Sequence, residues 1–326
     1  MNTQKPHLVI VIQSPDFISI IIKQIERFWT DYDIYFVSNP IFNFYKPLYP
    51  EPEKVELPYI GNLSWKKNEK EISKVWQVRN QEVIETNRSS FNIIKTAETI
   101  ILMGCNTILI FPFEILLEQS FGKRIDKTCL VYDLEGFDEE QVEKTLKNPA
   151  TRDYHYYQKY LARATAKKFF EYNFNFNSCI LFKPVLQKAG IRDNDFVLTK
   201  YVLQLLFELE NYTNISEDNM LIMMEQWKGT GLYEQIQMGG PPSRPQMFKN
   251  LSEAGLIKNN KKGTSDNEHY DVSDKVKALL KLIHPDCRDI DLPGKINLWE
   301  DNWPESKKEI EHYIVTFFKK QMDFKP

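Results

Sequence analysis

Residues 8–12 form an unbroken apolar run, Leu-Val-Ile-Val-Ile, the pattern of a central strand covered on both faces. Ser14, Pro15 and Asp16 supply a helix start, with Ser14 as N-cap and Pro15 at the first helical position. Ile18, Ile21, Ile22, Ile25 and Trp29 then recur at helical spacing, and 34–37 gives another strand. This is the strand–helix–strand opening of an α/β domain. Residues 39–72, rich in proline, asparagine and lysine, carry little periodicity and read as a long irregular excursion. The pattern predicts helix over about 73–99 and a strand at 100–103. Residues 108–110 are β-like or begin the following helix, which continues over 114–119, and 128–132 reads as one more buried strand.

Beyond about 133 the pattern turns helical. Residues 138–146 begin acidic and end lysine-rich, which suits the helix dipole, and Asn148-Pro149 stops them. A long helix is predicted over 154–172 and a core helix over 196–209. Between 216 and 284 the predicted order is helix 217–227, a glycine-bearing turn, helix 243–254, strand 256–258, a polar loop at 259–264, strand 269–272 and a helix capped by Ser273. Helix, turn, helix, strand, wing, strand is the logic of a winged-helix module. A helix over 305–322 is the last element.

With 326 residues, 42% hydrophobic and 27% charged, the composition is that of a globular chain long enough for one large or two medium domains. The net charge of -3 argues against a surface that grips phosphate everywhere, so any nucleic-acid contact must be a local basic patch. Cys105, Cys129, Cys179 and Cys287 form no Cys-x-x-Cys pair, and no histidine pair has metal-ligand spacing, so no metal site is expected. The first residues lack signal-peptide architecture and no apolar run is long enough to span a bilayer. A cytoplasmic protein without a membrane partner is expected.

The stretch Val9-Ile10-Val11-Ile12-Gln13-Ser14-Pro15 resembles the first strand of the Toprim domain of type IA DNA topoisomerases, an apolar strand followed by Glu-Ser-Pro. Residues 97–105 line up with the strand that leads into that family's Asp-x-Asp-x-Glu-Gly-Glu block. Residues 130–149 are similar to the strand, short helix and Asn-Pro turn that leave the Toprim domain. Leu161-Ala162-Arg163 through Glu171-Tyr172-Asn173 resembles the family's Gln-Ala-Arg-Arg helix ending in Gly-Tyr-Asn. Gly239-Gly240-Pro241-Pro242-Ser243, then Gly255-Leu256-Ile257, is similar to its Gly-Arg-Pro-Ser-Thr turn, helix and Gly-Tyr-Val strand. Ser273-Asp274 with Ala278-Leu279-Leu280 resembles the following Thr-Glu-Leu-Gly helix, and the segment from Asp291 through Trp299 and the last helix resembles the closing one. The order is collinear along nearly the whole chain.

The resemblance implies an α/β fold: a Toprim-like parallel-sheet domain over 1–135, then a mainly α domain over 136–326 with a winged-helix-like module at 216–284. It also implies that the cutting chemistry is gone. The family's carboxylates, which hold Mg²⁺ through hard anionic oxygens, fall on Gln13, Cys105, Thr107 and Phe111. Glu114 is one acid where a cluster is needed, and the arch that carries the nucleophilic tyrosine has no counterpart after the helix at 197–209. From the residues alone, Cys105, Thr107 and Phe111 are core positions at a strand end.

The candidate nucleic-acid residues are Lys159, Arg163 and Lys167, beside Lys168, Tyr156, Tyr157 and Tyr160, because cations meet phosphates while rings stack on bases. In the alignment Arg163 matches a family arginine that contacts the DNA strand. Ser243 stands where a helix N-terminus would meet phosphate, and Arg244 follows it. The same charge stripe also fits an ordinary solvated helix face. The expected function is therefore a catalytically inactive protein that binds single-stranded DNA or RNA, or a protein partner in DNA processing, with no cofactor. The alternatives are a divergent topoisomerase or nuclease that uses Mg²⁺, alone or with a partner subunit, and a protein-interaction module on the same scaffold.

Overall fold

The computed structural model describes the chain apart from residues 1–4, 13, 39–44, 69–73, 80–81, 105–109, 123–126, 134–137, 192–195, 211, 234–235, 242 and 261–268. The described residues divide into two compact units, one of residues 1–48 and 64–165, the other of residues 49–63 and 166–326. The first division therefore lies at 48/49 and the last at 165/166, where the sequence pattern places a single boundary at 135.

The first unit is α/β. Its order is β1 (His7–Ile12), α1 (Asp16–Phe28), β2 (Asp33–Ser38), β3 (Tyr45–Pro47), β4 (Trp65–Lys67), β5 (Lys74–Arg79), β6 (Glu82–Thr86), α2 (Ser90–Thr96), β7 (Thr99–Gly104), α3 (Ile110–Phe121), β8 (Thr128–Asp133), α4 (Glu139–Leu146), β9 (Ala150–Thr151) and the first part of α5 (His155–Leu181). Seven strands make one sheet in the order β6-β5-β2-β1-β7-β8-β9. The four central strands β2, β1, β7 and β8 pair in parallel, and the flanking strands are antiparallel. Central strands buried on both faces need apolar residues at every position, and β1 and β7 comply. Val9, Val11, Ile100 and Leu102 face α2, α3 and Tyr157. Leu8, Ile10, Ile12, Ile101 and Met103 face α1 and α4.

The pattern over 73–99 is not a helix. It forms the β5–β6 hairpin and the short α2, because Val75, Trp76 and Val78 pack on the sheet while β6 stays exposed at its edge. Within 39–72 the structure pairs β3 with β4 antiparallel, and Ile110 opens a helix rather than closing a strand. Ser14 sits one position before the cap: its Oγ accepts from the Asp16 amide at 3.3 Å, and Pro15 occupies the N-cap.

The second unit is mainly α. It contains the remainder of α5, then α6 (Lys183–Lys188), α7 (Lys200–Leu209), β10 (Ile215–Ser216), α8 (Glu217–Glu225), α9 (Ser243–Glu253), β11 (Ile257–Asn259), β12 (His269–Val272), α10 (Asp274–Lys281), α11 (Leu292–Asp301) and α12 (Lys307–Asp323). Strands β10, β12 and β11 form a three-stranded antiparallel sheet in that order, and α8, α9, β11, β12 and α10 follow one another along the chain. Ser273 holds the N-cap position of α10, but its buried hydroxyl finds no hydrogen-bond partner among the described residues, whereas Ser216 and Thr199 accept from the amides of Asn219 and Val202.

Helix α5 runs past the expected end at 172. Asn173 and Asn177 do not stop it, because their buried side chains bind the backbone of 59–61. The Tyr59 and Gly61 amides donate to Asn177 Oδ1 and Asn173 Oδ1, each at 2.7 Å. The two side-chain amides donate back to the Tyr59 and Gly61 carbonyls at 2.7 and 3.1 Å.

Candidate nucleic-acid interface

The first turns of α5 carry alternating inward and outward tyrosines. Tyr157 is buried, and its hydroxyl donates to Glu114 Oε1 at 2.6 Å. Arg152 holds the same carboxylate with two donors, one to each oxygen. Burial, then the Glu114 charge, drives the Tyr157 phenol far above its ordinary range. The Glu114 hydrogen bond likewise raises the Arg152 guanidinium. Both partners therefore keep their protons, and the Glu114 carboxylate is committed to an internal network that ties α3 to the start of α5. Beneath it, burial pushes the Cys129 thiol up to about 11, which leaves it protonated and poorly nucleophilic near neutral pH.

Tyr154, Tyr156 and Tyr160 turn the other way. Tyr154 is 57% exposed and Tyr156 43% exposed. Tyr156 and Tyr160 meet edge to face with centroids 4.4 Å apart, and Tyr154 lies 6.5 Å from Tyr156. Tyr160 also packs against the sheet core, which fixes the inner end of the row. Lys159 is exposed and Arg163 half-buried, on the row beside the rings at i and i+4. Lys167 is exposed and belongs to the second unit. Lys168 is occupied by Glu171 at 2.9 Å.

No family model matches the chain, and no curated protein matches it at a significant level.

The remaining sequence candidates are not brought to this face. Phe111 is buried in the first turn of α3, against Trp65 at 5.7 Å between centroids. Gln13, Cys105, Thr107 and much of the expected wing loop lie outside the described residues. Ser243 is exposed at the start of α9, yet its amide donates to the Gly240 carbonyl at 2.9 Å, and the Arg244 amide donates there too at 3.3 Å. Two of the amides that would meet a phosphate are thus already used. The Arg244 side chain is 6% exposed, pairs with Glu225 at 3.4 Å and donates to Gln237 Oε1 at 2.9 Å. It holds the turn before α9 and does not face solvent.

Among the described residues, no group of three or more His, Cys, Asp or Glu side chains is placed to hold a metal ion. No described helix is long and apolar enough to cross a membrane. The sequence missed Tyr154, one residue before the helix, although tyrosines at 154, 156 and 160 flanking a lysine were a readable signal.

Proposed function

We propose that this chain is a non-cleaving relative of the type IA topoisomerases that binds single-stranded nucleic acid on the first unit. The bases stack on Tyr154, Tyr156 and Tyr160, and Lys159 and Arg163 meet the phosphates. The observation that carries the reading is the pair of exposed rings, Tyr154 and Tyr156, with the half-buried Tyr160 beside them and the exposed Lys159 on the same stretch of chain. Single strands suit such a surface because every base offers a ring face and every linkage a negative charge. Duplex DNA hides its bases from a ring platform.

One further observation supports the reading. Glu114, the acid nearest the family's carboxylate block, is bound by Arg152 and Tyr157, so it does not repel a strand. The winged-helix-like module contributes little in this reading, since Arg244 and the first amides of α9 are occupied internally.

Binding of a fluorescent oligothymidylate, followed by anisotropy across a salt series, tests the proposal. Each stacked base is worth about 1–3 kcal/mol, so Tyr156→Ala weakens binding by about fivefold to about 150-fold. Lys159→Ala lowers the slope of log K against log salt by about 0.7. Wild-type affinity and slope in both variants sink the assignment, as does absence of binding at low salt.

A further inference from the structure

The two-stranded β3–β4 ribbon of the first unit carries a charge arrangement that its own stability does not call for. Its six residues are Tyr45, Lys46, Pro47 and Trp65, Lys66, Lys67: three lysines and no acid. The register sets Lys46 directly opposite Lys66, Tyr45 opposite Lys67 and Pro47 opposite Trp65. Directly opposed residues share a face and stand about 5 Å apart at Cβ, and like charges so placed repel. Among the described residues neither Lys46 nor Lys66 has an acidic partner.

The other face explains how the ribbon is held. Period-two alternation turns Tyr45, Trp65 and Lys67 the opposite way from the two lysines. There Trp65 meets Phe111 of α3 edge to face at 5.7 Å, and Tyr45 meets Phe91 of α2 at 5.8 Å. The Lys67 ammonium sits 3.8 Å from the centre of the Phe91 ring, so its charge is engaged. The rings seat the ribbon on α2 and α3, and Lys46 and Lys66 are left pointing away. Tyr45 and Tyr160 pack on the same apolar cluster, so the ribbon and the tyrosine row of α5 belong to one side of the sheet.

We propose that Lys46 and Lys66 form a phosphate clamp for the backbone of the single strand whose bases stack on the α5 tyrosines. The repulsion between the two ammoniums is relieved when an anion lies between them, which is the charge complementarity a polyanion supplies. This second contact rests on the proposed binding face of α5, and it accounts for the Phe111 ring, which seats the ribbon.

The test compares Lys46→Ala/Lys66→Ala with Tyr156→Ala in the full chain, using a fluorescent oligothymidylate over a salt series. Two lost phosphate contacts lower the salt slope by about 1.4. The affinity of the double variant falls at low salt, and its melting temperature stays at or above that of the wild type. Lys66→Thr separates folding from binding: a residue that favours strands, with the repulsion removed, raises the melting temperature while still weakening binding. A double variant with wild-type slope and affinity, alongside a weakened Tyr156→Ala, overturns the clamp and leaves the α5 face standing. If the wild type binds no oligothymidylate at low salt, the α5 face fails and the clamp fails with it.

Discussion

Removing the Lys200 ammonium while keeping Glu171 should cost the second unit more than removing both. Lys200 lies at the start of α7 with its side chain 5% exposed, and its Nζ is 2.9 Å from Glu171 Oε1. It also sits 5.3 and 4.8 Å from the ring centres of Phe170 and Tyr201. Breaking a buried pair by deleting one partner costs about 3–5 kcal/mol. Here Glu171 is 25% exposed and keeps Lys168 at 2.9 Å, which brings the electrostatic loss to about 2 kcal/mol. The two ring contacts add about 0.5 kcal/mol each at a partly screened site. Lys200→Met is therefore expected to destabilise by about 3 kcal/mol, and Glu171→Leu/Lys200→Met by only about 1 kcal/mol, since no charge is stranded. Urea unfolding followed by tryptophan fluorescence, at constant m-value, measures both. Costs that simply add in the double variant refute the argument.

The same pair sets an acid limb. Burial alone would raise the Glu171 carboxyl, but Lys200 and Lys168 outweigh it and hold the group well below the usual carboxylate range. A depressed folded pKa contributes stability that is complete above the unfolded value of about 4.3 and is lost as pH falls below it. Glu171→Gln flattens that limb in a pH series of melting temperatures, and an unchanged limb removes Glu171 from the explanation. Ser216→Ala is expected to cost about 0.5–2 kcal/mol by removing a working N-cap, while Ser273→Ala is neutral or stabilising because that hydroxyl has no partner among the described residues; equal losses in thermal unfolding would contradict this. Tyr157→Phe strips one donor from a carboxylate that Arg152 still holds, a loss of about 1–2 kcal/mol readable by denaturation. Gly229 has φ +53, and a side chain there would strike the Asp291 carboxylate that binds Thr230. Gly229→Ala should therefore lower the melting temperature by several degrees, about 1–3 kcal/mol.

The parallel strands were legible because a strand covered on both faces must be apolar throughout, as in residues 8–12 and 100–103. The β5–β6 hairpin was not. At a sheet edge, alternation is diluted by charged residues, and Val83 and Ile84 are exposed, so no run stands out. On α5 the spacing of cations and rings was readable, but which tyrosine turns inward was not. That choice depends on Glu114 and Arg152, and Glu114 lies 43 residues before Tyr157. Arg244 looked available in sequence, and its partner Glu225 comes from a neighbouring helix rather than from the local pattern. The end of α5 was not legible for a similar reason: Asn173 and Asn177 are satisfied by backbone 112 and 118 residues away.

Those asparagines also impose an order of assembly on a chain made from one end. The 59–61 backbone that they hold is synthesised early, and its partners on α5 follow 112 residues later in one case. At translation rates of about 5–20 residues per second, that segment waits roughly 6–20 s before the groups that anchor it exist. During that interval both strands of the basic ribbon are already made, while the stretch that joins them has nowhere to dock. A gene fragment beginning at residue 166 would carry Asn173 and Asn177 without the segment that satisfies them. The second unit would then need 49–63 supplied as a peptide, or spliced onto its start by permutation, before it could close its core.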